Sequence, residues 1–108
     1  MPYSESIAKR IKEQLKMFPE EFNEKKMFGG LSFLYQDKMT VGIVKEDLAV
    51  RIIASKMETA MQNENVRPMD FTKRPMKEFV YVSQEGFKTE TQLLYWIEFG
   101  LEYAKSKL

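Results

Sequence analysis

Apolar residues first recur at spacings of three and four. Ile7, Ala8, Ile11, Leu15 and Phe18 fall on one face of a helix, while Glu5, Lys9, Glu13 and Lys16 fall largely on the other. Ser4 is placed to cap its first turn, and Pro19 ends it soon after Phe18. The pattern then changes. Lys25–Phe28, Leu31–Tyr35, Met39–Val44 and Leu48–Ile53 read as strands. Gly29-Gly30, Gln36-Asp37-Lys38 and Lys45-Glu46-Asp47 stand between them as a bend and two turns. Leu48, Val50 and Ile52 alternate with Ala49 and Arg51, as in a strand covered on one face.

Ser55–Met61 predicts a short helix with Ser55 as its cap and Met57, Ala60 and Met61 on one face. Pro68 and Pro75 make Asn63–Lys77 irregular or extended. Phe79–Val82 is a last strand, and Gln84-Glu85-Gly86 is a turn. Thr89–Lys107 is a long helix opened by a Thr89/Gln92 capping box. Its apolar stripe is Leu93, Leu94, Ile97, Leu101, Ala104 and Leu108. Tyr95, Phe99 and Tyr103 form a second stripe that one sheet would not cover, which hints at self-association.

An amphipathic helix and a half-covered sheet each need a partner layer. The expectation is one domain over residues 1–108 in the α+β class, with two layers. An antiparallel sheet of about five strands carries helices packed on one face.

Composition narrows the chemistry. The charges nearly cancel, 17 Lys and Arg against 16 Asp and Glu, so no global field steers the protein to nucleic acid or membrane. There is no cysteine and no histidine. That removes disulfides, thiolate chemistry, the usual proton shuttle and the common zinc ligands. No catalytic residue, cofactor or metal is expected, and the reading points away from an enzyme. The N-terminus carries no signal pattern and no apolar run is long enough to span a bilayer. A cytoplasmic protein without membrane contact is expected.

Arg67-Pro68-Met69 returns as Arg74-Pro75-Met76. Arg67, Lys73, Arg74 and Lys77 against Asp70 give a local charge of four minus one, +3. Guanidinium groups suit phosphate and carboxylate, so this stretch is a candidate anion or nucleic-acid site. The near-zero net charge counts against nucleic acid. The competing reading is an extended segment stiffened by its prolines. Gly29 and Gly30 would let a ligand approach bare main chain, or simply form a bend. Arg51 would enter a cleft, or decorate an open sheet face with Lys45. Gly29, Gly30, Arg51, Arg67, Lys73 and Arg74 are therefore the candidate ligand or anion-binding residues. Met57, Met61, Met69 and Met76 either fill the core or line an exposed groove or a dimer interface.

Taken in order, Lys26-Met27-Phe28-Gly29-Gly30, the hairpins, Val66-Arg67-Pro68-Met69-Asp70-Phe71-Thr72, Arg74-Pro75-Met76-Lys77, Phe79-Val80-Tyr81-Val82 and a Trp-bearing final helix resemble the TfoX/Sxy N-terminal domain family. The resemblance runs from about Ser4 to Leu108 and implies a stand-alone, single-domain member with helices on an antiparallel sheet. Its namesakes are bacterial regulators of natural competence that act with the cyclic-AMP receptor protein. The resemblance implies a non-enzymatic regulatory or binding module working through protein contacts. A homodimer and a protein partner in transcription regulation are the partners to test. Binding of a small anion or nucleic acid through Arg67–Lys77 is the alternative.

Overall fold

Ser4 does cap the first helix. Its Oγ accepts from the Ile7 N–H at 3.4 Å, α1 spans Glu5–Leu15, and Ile7, Ala8, Ile11 and Leu15 are all buried. The structure, a computed structural model, describes residues 3–27, 29–68 and 78–108. After α1 come β1 (Asn23–Met27), β2 (Gly30–Tyr35), β3 (Lys38–Val44) and β4 (Asp47–Arg51). A 3-10 turn leads into α2 (Met57–Met61), followed by β5 (Val66–Pro68), β6 (Phe79–Val82), a second 3-10 turn at Gln84–Phe87, and α3 (Glu90–Ser106).

The described strands form one antiparallel sheet in the order β1-β2-β3-β4-β6-β5. It has six strands rather than about five, because Val66–Pro68, read from sequence only as irregular or extended, pairs with β6 at the sheet edge. A strand of three residues ending in proline is what an edge tolerates, since its outer N–H groups need no partner. The opposite edge, β1, exposes Asn23, Glu24, Lys25 and Lys26, and such charges discourage pairing with another chain. The β2–β3 turn puts Gln36 and Asp37 at φ of 48° and 66°, the left-handed pair that matches strand twist in a two-residue hairpin. Ser55 does not act as a cap. It lies inside the 3-10 turn Ala54–Lys56, and α2 begins at Met57 with no side-chain cap.

Register lines the helix-facing side with apolar rows. Leu31, Ile43, Leu48, Val82 and Val66 stand opposite one another across five strands, and Phe33, Val41, Val50 and Val80 form the next row. Helix residues Ile7, Ile11, Leu93, Trp96 and Ile97 close on these rows in one core. Met57 and Met61 pack against it from α2, so these two methionines fill the core margin. Met69 and Met76 lie outside the described residues.

A bulge interrupts the alternation. Phe33 pairs with Val41 and Leu34 with Met39, which leaves Thr40 as the extra residue. Thr40 is fully buried and its hydroxyl donates to the Phe33 carbonyl at 2.9 Å. The extra residue turns Met39 to the other face, where it joins Ala49 and Phe79 in a second, smaller cluster. That face is therefore not an open polar surface.

Gly100 meets the bulge. A Cβ there would lie 2.5 Å from the Thr40 carbonyl oxygen and 2.6 Å from its carbon. α3 thus rests main chain against main chain. Its N-terminus carries the expected capping box, in which Thr89 and Gln92 satisfy each other's backbone N–H groups. Trp96 is buried and its Nε1–H donates to the Gly86 carbonyl at 2.9 Å. Arg10 clamps α1 to the start of α3, donating to Glu90 and to the Phe87 carbonyl, both at 2.9 Å.

At the far end of α3, Lys105 donates to Glu20 at 2.6 Å and lies over the Tyr35 ring. The Lys105 hydrogen bond, helped by the residue's own backbone N–H, holds the Glu20 carboxyl below its ordinary 4.5. The same bond raises Lys105 above its ordinary 10.5. The lowered carboxyl stabilises the fold above its unfolded-state value, and this contribution disappears as pH falls through the folded-state value. The raised ammonium contributes below 10.5 and is lost as pH climbs through its folded-state value. Both contributions are therefore present at neutral pH. Urea midpoints measured on acidification should fall less steeply for Glu20→Gln than for the wild type. Parallel acid limbs would show that the clasp contributes nothing.

Candidate protein-contact surface

Those of the residues singled out by sequence that lie among the described residues scatter over the sheet. Gly29 makes the β1–β2 turn at φ +74°, a conformation L side chains avoid, with open space around it. Gly30 pairs with Met27, and a side chain there would run into the Ile43 carbonyl. Both glycines thus have backbone reasons to be glycine. Arg67 lies on β5. The order of strands sets β2 and β5 four steps apart, roughly 19 Å at about 4.8 Å per step. The glycine pair and Arg67 do not share a pocket. Lys73 and Arg74, with Asp70 and Lys77, lie outside the described residues.

Arg51 and Arg67 flank β6 on one face, opposite Phe79 and Tyr81 respectively. Each has its own partners. Arg67 donates to Asp47 at 2.5 Å and to the Ser83 hydroxyl at 3.1 Å, and it stacks over Tyr81 at 5.0 Å. Arg51 is half-buried. Its guanidinium carbon lies 4.1 Å from the centroids of both Phe79 and Tyr103, and it donates to the Tyr103 hydroxyl. Its buried Nε finds no partner, and burial lowers its pKa, with Glu78 opposing.

This overturns the second helix stripe as read from sequence, because Tyr103 is buried beneath Arg51. The arginine acts here as a spacer between two rings. Arg51→Met should keep stability within about 1 kcal/mol, because it fills the same space and removes a half-buried charge with an orphaned donor. Arg51→Ala should cost about 2 kcal/mol through lost packing. Chemical denaturation of both variants checks this. A collapse in Arg51→Met would show that the charge itself is required.

With Tyr103 withdrawn, Tyr95 and Phe99 remain. Tyr95 is 47% exposed, and the other large apolar side chains exposed among the described residues are Met17 and Leu108. Spacing puts Tyr95, Glu98, Phe99 and Glu102 on one side of α3. Lys56 completes a shallow groove of about 210 Å³ with these four. The Tyr95 ring packs against Phe99 at 4.9 Å and 86°, and against Trp96 at 5.0 Å and 73°. Trp96 in turn is fixed by Gly86, so exposed Tyr95 and partly buried Phe99 stand on a rigid base. Lys56 bonds Glu102 at 2.6 Å while lying 6.0 Å over the Phe99 ring.

Sequence spacing found Tyr95 and Phe99. It missed Lys56, which arrives from the turn before α2, and the pairing that turns two rings into a bounded groove. A larger cleft of about 570 Å³ lies at the end of α1, with Leu15, Phe18, Phe22 and Phe33 among its walls. The Lys12–Glu24 ion pair stands among its lining residues at 3.4 Å.

Among the described residues no acidic cluster is arranged to hold a metal. No helix among them is long and apolar enough to cross a membrane. No curated protein matches the chain. The family model described as the TfoX N-terminal domain matches residues 13–104, which takes in the whole sheet, α2, nearly all of α3 and the groove. With that match and this fold, the chain belongs to the TfoX N-terminal domain family.

Proposed function

We propose that this domain is a non-enzymatic regulatory or binding module that acts through protein contacts, and that the Tyr95–Phe99 groove is its contact surface. The observation that carries the reading is the half-exposed tyrosine on a rigid aromatic base, bounded by charged residues. Rigid aromatic anchors within a polar rim are the usual energetic centres of protein interfaces. Family membership supports a regulatory setting, with a partner drawn from the transcription machinery and a cytoplasmic location. The alternative, anion or nucleic-acid binding through Arg67–Lys77, draws less support. Arg67 is already neutralised by Asp47.

Tyr95→Ala should abolish partner binding while costing about 1 kcal/mol of stability, the loss of edge-to-face ring contacts. Met17→Ala is the control, since Met17 is 77% exposed and away from the groove. Affinity capture with the wild type and both variants checks the proposal. Proteins retained by the wild type and Met17→Ala but lost from Tyr95→Ala are expected. Identical retention by all three would refute the assignment.

A further inference from the structure

The groove contains the same arrangement twice. Phe99 and Glu102 are three residues apart on α3, and Lys56 fills the space between them, bonded to the carboxylate and lying over the ring. Tyr95 and Glu98 repeat that spacing one turn earlier. Glu98 is exposed and, among the described residues, its carboxylate has no ion pair or hydrogen bond. A ring face beside a carboxylate is what an arginine or lysine head group recognises, by stacking and by charge-assisted hydrogen bonding. In this molecule one such pair already holds a lysine.

We infer that the Tyr95–Glu98 pair receives an arginine or lysine side chain from a partner protein, whose apolar neighbours lie along Tyr95 and Phe99. The inference rests on the protein-contact reading above and specifies the partner's chemistry. The charge of the groove favours a basic partner over a second copy of this chain. Lys56 against Glu98 and Glu102 is one minus two, a net −1. A second copy would bring another −1 to the same interface, whereas a basic segment cancels it.

The sole tryptophan, Trp96, touches both groove rings, so its emission reports occupancy. The probes are two twelve-residue peptides without aromatic residues, one of alternating leucine and arginine and its leucine–glutamate twin. The expected result is a saturable shift of Trp96 emission with the arginine peptide. Its binding should be about tenfold or more tighter than its twin's, and weaker in high salt. Glu98→Gln should lose most of that preference while keeping its melting temperature.

Equal binding of the two peptides, or a preference unchanged in Glu98→Gln, overturns the inference. So does no response up to millimolar arginine peptide. A wild type that sediments as a dimer while Tyr95→Ala sediments as a monomer overturns it too, by making the second copy the occupant. The capture experiment with Tyr95→Ala separates the two proposals. Loss of captured proteins alongside a failed peptide preference removes the basic partner and leaves the contact surface standing. Failure of both removes the surface as well.

Discussion

Gly100→Val will lower the stability of this domain by about 3 kcal/mol or more, a large share of the 5–15 kcal/mol typical of a domain this size. The reason lies in what a side chain would meet. The nearest atoms are the Thr40 carbonyl oxygen at 2.5 Å and carbon at 2.6 Å, with the Thr40 Cα at 3.0 Å. A flexible side-chain tip could rotate away, but these are main-chain atoms of a bulge held by the Thr40–Phe33 hydrogen bond. The helix must therefore lift, and Leu93, Trp96 and Ile97 lift with it. Gly100→Ala sharpens the test. In a helix interior it should gain about 1 kcal/mol of intrinsic propensity, yet a net loss is expected here. Urea denaturation followed by circular dichroism measures both. An alanine variant at least as stable as the wild type would show that α3 can move off Thr40 freely.

Trp96→Ala is expected to cost about 3–5 kcal/mol. The ring is 1% exposed and among the largest fully buried side chains of the described residues. Its removal also leaves the Gly86 carbonyl without the indole donor. Trp96→Phe separates the two effects. It keeps most of the packing and deletes the hydrogen bond, for an expected loss of about 1–3 kcal/mol. The alanine variant should further loosen Tyr95 and Phe99, which stand 5.0 and 5.8 Å from the Trp96 ring. Partner binding should then fall at temperatures where the fold still holds. If Trp96→Ala binds as the wild type does, the groove does not depend on its aromatic base.

Local signals were legible wherever one residue does one local job. Ser4 and Thr89 cap their helices because capping needs only neighbouring N–H groups. Gln36-Asp37 turns the hairpin for the same reason. Ser55 failed as a cap because the chain enters α2 through a 3-10 turn, which puts Lys56 at the cap position. Val66–Pro68 was missed as a strand because its pairing partners on β6 lie twelve to sixteen residues away and only Val66 carries a strand-forming side chain. The candidate site was half legible. The spacing of Tyr95 and Phe99 exposed a second stripe, but the same spacing included Tyr103, which Arg51 covers from a strand distant in sequence.

The sequence by itself determined the order and type of the main elements, the α+β class and the family. It also removed histidine and cysteine chemistry. These follow from periodicity, turn residues and composition, which act over a few positions at a time. Tertiary structure decided which face each polar residue serves. Thr40 becomes a bulge that turns Met39 over and demands a glycine on α3, because two main chains there approach too closely for a Cβ. Arg51 becomes a spacer between rings rather than a free cation. Lys56 meets Phe99 and Glu102 across a gap of more than forty residues. Contacts of that reach depend on how layers pack, and no local pattern encodes them.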